Sequence, residues 1–173
     1  MATYRAVAAV GQAIVGLLQG ASRPAEFAGA QFKLIRTEDF SQPIETGLSV
    51  YLYRITENSA RRNSPPASPR GSRASGPLAL DLHYLLTPWG ADADSEHQLL
   101  AWTMRVLADA PVLPSALLNE ANAGTFDASE SVQLMLESLD VAEEINLWRG
   151  LRLPYRPGVS YLARGVLIDP LAQ

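Results

Sequence analysis

The chain has 173 residues, 47% of them hydrophobic and 18% charged, with a formal net charge of −4. A chain of this length suits one ordinary domain and buries roughly 68–70% of the surface its unfolded form exposes. The weak net acidity argues against general affinity for phosphate backbones or anionic lipid. The absence of cysteine removes disulfide frameworks, thiolate zinc sites and thiol nucleophiles and fits a reducing, cytoplasmic setting.

Arg5 precedes a small-residue apolar stretch that ends near Ala21. Gln12 interrupts it, and it lacks the charged start and cleavage site of a leader. Val7, Val10, Ile14, Leu17 and Leu18 recur at helical spacing and Gly20 supplies a stop, so the stretch is expected to be an amphipathic helix. Phe32 to Arg36 reads as a short strand, followed by a polar turn over Glu38 to Pro43. Leu48 to Ile55 is a stronger strand, with Leu48, Val50 and Leu52 on one face and Ser49, Tyr51, Tyr53 and Ile55 on the other. Apolar bulk on both faces calls for cover on both sides.

Residues 57–76 carry no apolar periodicity, and Arg61, Arg62, Arg70 and Arg73 lie among prolines and serines. Such a segment buries too little surface to offset its ordering entropy and is expected to be a mobile loop. Leu78 to Leu86 then alternates cleanly and pairs with Leu48 to Ile55 as a hairpin, with Thr87-Pro88-Trp89-Gly90 ending the strand. Ser95 and Gln98 form a capping-box pattern behind Asp92, Asp94 and Glu96, opening a helix whose stripe is Leu99, Trp102, Val106 and Ala110. Residues 112–127 read as loop or short helix, and Val132, Leu134 and Leu136 alternate as a strand. Asp140 and Glu143 open a further helix with Val141, Ile145 and Trp148 on one stripe. A last strand, Val159 to Ile168, places Val159, Tyr161, Ala163 and Leu167 on one face. The order implies an α+β domain over residues 1–173, with a mixed, mainly antiparallel sheet flanked by helices.

Catalytic chemistry finds little support. His83 lies two residues from Asp81 on one face of a strand, but no nucleophile elbow, phosphate-binding glycine loop or paired metal histidines accompany it. Asp92, Asp94 and Glu96 resemble the opening of a calcium loop, yet positions six and twelve hold His97 and Thr103 instead of glycine and glutamate. No cofactor or metal is expected. The arginine-rich segment lacks aromatic residues to stack on bases, so no nucleic-acid partner is expected, and no membrane partner either.

Several segments in order carry a resemblance: Leu80-Asp81-Leu82-His83-Tyr84-Leu85-Leu86-Thr87-Pro88-Trp89-Gly90, Glu96-His97-Gln98-Leu99-Leu100, Ala110-Pro111-Val112-Leu113, Glu143-Glu144-Ile145-Asn146-Leu147-Trp148 and Pro154-Tyr155-Arg156-Pro157-Gly158-Val159-Ser160-Tyr161. Together they resemble the N-terminal domain of cap proteins of extracellular contractile injection systems, which are phage-tail-like particles. The resemblance implies a fold similar to phage tail terminators. It also implies a six-membered ring that stops tube and sheath polymerisation at the end distal to the baseplate and holds sheath to tube. Its partners would be further copies of the chain, the inner tube protein and the sheath protein. Longer members carry a further domain beyond the region matching Asp169, whose role is not carried over to these residues.

A ring needs heterologous interfaces, where one patch meets a different patch on the neighbour. Candidate contact residues are Tyr51 and Tyr53, Arg61 and Arg62, and Arg149, Arg152, Tyr155 and Arg156, residue types enriched at interface hot spots. Trp148 reads as core. A stand-alone protein-binding module using the same apolar faces is the alternative, and a small enzyme ranks behind both.

Overall fold

The computed structural model describes residues 2–42, 44–58 and 76–170; the expected loop contacts at Arg61 and Arg62 lie outside them. Four helices, α1 (Ala6–Gly20), α2 (Ala93–Asp109), α3 (Ser115–Leu118) and α4 (Val141–Gly150), accompany six strands among the described residues. The strands are β1 (Gln31–Ile35), β2 (Gly47–Glu57), β3 (Leu78–Trp89), β4 (Val112–Pro114), β5 (Ser131–Glu137) and β6 (Val159–Ile168). They form one sheet in the order β1-β2-β3-β6-β5-β4. β1 and β2 pair in parallel, and the other four junctions are antiparallel. The α+β class with a mixed, mainly antiparallel sheet is therefore observed.

Both faces of the sheet are covered, as the two-sided apolar character of β2 requires. On the first face Leu48, Val50, Leu82, Tyr84 and Leu86 pack against α1, α2 and α3 through Val10, Ile14, Leu18, Leu99, Leu107 and Leu118. On the second, Leu85 and Trp89 are covered by Phe40 of a 3-10 helix (Thr37–Ser41), by Ile44 and by Trp148 of α4. The 3-10 helix replaces the plain turn expected there.

Two bulges alter the expected faces. β2 opposes Leu52 to Tyr84 and Arg54 to His83, so Tyr53 is an extra residue and the alternation shifts by one. Ile55 consequently lies opposite Leu82, on the side of the first core, and not beside Tyr51 and Tyr53 as strict alternation implied. In β6 the register slips between Ala163, opposite Leu82, and Val166, opposite Leu80. Gly165 adopts φ +77 there, and its N–H donates to the Asp81 carboxylate at 2.9 Å. That slip moves Leu167 off the face of Tyr161 and Ala163 and puts Val166 in the core instead.

Several boundaries also differ. β3 continues through Thr87 and Pro88 to Trp89, because β2 still pairs with it there. β6 no longer flanks it beyond Leu86, and that open flank accommodates a proline. The cap of α2 is Asp92, whose side chain accepts from the Ser95 N–H at 2.8 Å, while Gln98 donates to Asp94 at 2.6 Å. Ser95 therefore lies inside the first turn. Residues 112–127 contain β4 and α3.

The Asp140–Glu143 capping box of α4 forms as expected, with the Glu143 N–H on Asp140 at 2.7 Å and the Asp140 N–H on Glu143 at 3.0 Å. Trp148 is buried, as expected, but its stripe is not: Val141 is 69% and Ile145 40% exposed, so only one end of α4 is covered by the sheet. No helix among the described residues is long and apolar enough to cross a membrane.

Candidate protein-contact surface

Of the expected contact residues, Tyr51 and Tyr53 lie on the second face of the sheet, and Arg156 reaches Trp89 in the same cluster. Tyr51 and Tyr53 are half-buried and turned toward their own chain. The Tyr51 ring meets Phe40 edge-on at 5.3 Å, and its hydroxyl lies 3.1 Å from Thr37 Oγ1. The Tyr53 hydroxyl lies 2.9 Å from Ser160 Oγ and donates to Glu137 at 3.1 Å. Burial is the main reason its pKa is pushed up to about 12.

Tyr53 belongs to a polar network that the sequence reading did not assemble. Glu137 also accepts from Ser160 Oγ at 2.9 Å, and both its oxygens lie 3.0 Å from His83 Nδ1. With the Nδ1 proton directed at Glu137, His83 Nε2 accepts from Thr56 Oγ1 at 3.0 Å. Asp81, the expected neighbour of His83, instead accepts from Asn58 and Gly165 at 2.9 Å each. Carboxylate, imidazole and hydroxyl thus stand in line, but they are engaged with one another across β2, β3, β5 and β6. The arrangement ties four strands together on the second face. Among the described residues no group of three or more acidic or histidine side chains could hold a metal ion.

Burial alone would raise the Glu137 pKa. Hydrogen bonds from His83, Ser160 and Tyr53, with the His83 charge interaction, outweigh it and hold the carboxyl below its ordinary value of 4.5. A carboxylate depressed in this way contributes stability that is fully present above the ordinary glutamate range and lost as pH falls through the folded value. Glu137→Gln is expected to cost about 1–3 kcal/mol at pH 7 and less at pH 3, below the ordinary glutamate range, where the stability drawn from the ionised carboxylate declines. Urea unfolding at the two pH values measures the difference, and an equal loss at both would remove Glu137 from the acid limb.

The arginines divide into two kinds. Arg156 is held within the chain: its guanidinium lies over the Trp89 ring at 4.3 Å and donates to Glu96 at 2.6 Å. Arg149 and Arg152 are exposed, and neither makes an ion pair among the described residues. Tyr155 is exposed with its hydroxyl on Glu144 at 2.8 Å, which raises its pKa. Trp89 and Glu96 were not anticipated as partners of Arg156, because nothing local in the sequence shows that the start of α2 lies beside residue 156.

Arg152 also ends α4. Its N–H donates to Arg149 O at 3.0 Å and the Leu153 N–H to Trp148 O at 3.2 Å, with Arg152 itself at φ +57. This is the Schellman termination, whose left-handed position is usually glycine. Arg152→Gly is expected to raise stability by about 1 kcal/mol, read as a higher denaturant midpoint at unchanged slope. Lower stability would mean that the arginine side chain contributes more than its backbone strain costs.

The chain matches the family model described as the Pvc16 N-terminal domain over residues 9–173. Its fold is similar to the cryo-EM structure of a PVC sheath/tube terminator, from an extracellular contractile injection system in the extended state, with TM-score 0.64 and 17% identity over 96% of this chain and 57% of that one. It is also similar to the cryo-EM structure of the anti-feeding prophage tube-terminating cap, with TM-score 0.60 and 20% identity over 95% of this chain and 55% of the other. The chain therefore spans a little over half the length of these solved structures. No curated protein matches it. With the match extending over nearly every residue described above, the chain belongs to the Pvc16 N-terminal domain family.

Proposed function

We propose that the protein is a structural cap of a contractile injection particle, ending polymerisation of tube and sheath at the end distal to the baseplate. The observation that carries this reading is the likeness of almost the whole chain, 96% of it, to the fold of a sheath/tube terminator. Its working form in this proposal is a hexameric ring of identical copies that anchors sheath to tube, assembled in the cytoplasm as part of the particle and without a catalytic role. Arg149, Arg152 and Tyr155 are its proposed contact residues. Tyr51, Tyr53 and Arg156 support the surface from behind, since their side chains are engaged within the chain.

The test is the length distribution of sheathed particles seen by electron microscopy with and without the gene. Particles of ragged or uncontrolled length in the deletion strain, restored by the gene in trans, are the expected result. Uniform, normally capped particles in the deletion strain would overturn the reading.

A further inference from the structure

We propose that residues 135–146, the end of β5 and the first half of α4, form a strap that the Glu137 carboxylate holds on the sheet and that lifts when this carboxylate is neutralised. Between Leu134 and Leu147 no residue is buried. Met135, Leu136, Val141 and Ile145 are exposed, while Glu137, Leu139 and Glu144 are partly covered. Both ends are fixed, by Leu134 in the first core and by Leu147 and Trp148 in the second cluster. A stretch with so little buried apolar surface opens at lower cost than the strands beside it.

The side-chain ties of the strap run through carboxylates. Asp140 and Glu143 bond each other's backbone within α4, and Glu144 accepts from the exposed Tyr155 at 2.8 Å. Glu137 is the tie to the sheet, accepting from His83 on β3 at 3.0 Å, Tyr53 on β2 at 3.1 Å and Ser160 on β6 at 2.9 Å. Three donors thus converge on it, and only an ionised carboxylate offers them acceptors alone. A protonated Glu137 would bring a fourth donor into the cluster, and its bonds would lose their charge assistance.

The titratable groups facing Glu137 are His83 and Tyr53, with the Arg54 charge acting on the Tyr53 phenol from the same strand. Asp81, two residues along β3 from His83, is engaged by Asn58 and Gly165. Burial pushes the Glu137 carboxyl up, but the hydrogen bonds outweigh it and leave the group below its ordinary value of 4.5. Its hold on the strap is therefore complete above that value and fades as the pH falls through the lower folded one.

Lifting the strap unpairs Met135, Leu136 and Glu137 from Leu162, Tyr161 and Ser160. That stretch of β6 then presents an edge of free backbone donors and acceptors, to which another strand can add. The inference stands on the fold alone and does not draw on the cap role.

Amide exchange of the whole chain, read by mass spectrometry as the pH is lowered stepwise from 7 to 3 and corrected for intrinsic rates, is the test. Peptides covering 135–146 are expected to lose protection before those covering 82–86, by about three-fold or more where the two first part. In Glu137→Gln the strap peptides should be deprotected by a similar factor already at pH 7, with their separate pH response gone. Simultaneous loss along both stretches, or a strap that stays protected as long as β3, would overturn the proposal. A Glu137→Gln variant that keeps the wild-type response would do the same. If that variant does not fold, the wild-type comparison decides by itself.

Discussion

Trp148→Ala is expected to lower the unfolding free energy by about 3–5 kcal/mol, the usual cost of deleting a large buried aromatic side chain. Trp148 is the largest of the fully buried side chains and meets Phe40 edge-on at 5.7 Å. Together with the partly buried Leu147 it carries α4 into the second cluster, while Val141 and Ile145 project into solvent. Its removal opens a void against Leu85 and Trp89 that the neighbouring backbone cannot fully close. Against a total stability of roughly 5–15 kcal/mol, this is enough to unfold a marginal chain at physiological temperature. The denaturant midpoint should fall at unchanged slope. A loss below about 1 kcal/mol would show that the second cluster is loosely packed.

Gly47→Ala is expected to be comparably damaging for a different reason. Gly47 opens β2 at φ +152 and pairs with Gln31 of β1. A Cβ there would overlap the Gln31 carbonyl oxygen and lie 2.7 Å from the Gln31 nitrogen. These are backbone atoms of the paired strand, so no side-chain rotation relieves the contact. Backbone strain of roughly 1–3 kcal/mol adds to the cost of forcing β1 away from β2, for an expected loss of at least about 3 kcal/mol. Separation of the strands would loosen Phe32, which is buried in the first core. Amide exchange distinguishes this from a general loss, because protection should fall first along Gln31–Ile35. Unchanged protection there would sink the account.

Much of the fold was legible because burial imposes a period on the chain. The alternation of Leu78, Leu80, Leu82, Tyr84 and Leu86 marks the central strand, and the helical spacing of Val10, Ile14 and Leu18 marks α1. The Asp140–Glu143 box was equally readable, since a cap is a local hydrogen-bonding device. Failures occur where a single residue breaks the period. Tyr53 and Gly165 each insert a bulge, so Ile55 and Leu167 fall on the faces opposite to those alternation assigns. Gly165 offered a visible signal, because glycine inside a strand often marks a bulge; Tyr53 offered none.

The contact surface was legible only in part. Arg149, Arg152 and Tyr155 are exposed as a contact reading requires, whereas Arg156, Tyr51 and Tyr53 bind their own chain. Sequence periodicity put His83, Glu137 and Ser160 each on the face away from its strand's main apolar stripe. That β3, β6 and β5 lie side by side, and so unite those three residues, follows from long-range pairing that no local pattern encodes.

The strand order has a consequence for how the chain is made. β1, β2 and β3 adjoin one another, as do β6, β5 and β4, and the two triplets meet solely where β3 pairs with β6. Each triplet joins strands close in sequence, whereas that junction spans most of the chain's second half and carries the larger loop-closure cost. On the ribosome the first triplet emerges complete while the flank of β3 still waits for β6. For that interval the middle of the future sheet is a bare edge, with the backbone groups of β3 that later pair with β6 open to pairing between nascent copies. Pairing of Val159–Ile168 with β3 is therefore the step that removes this edge.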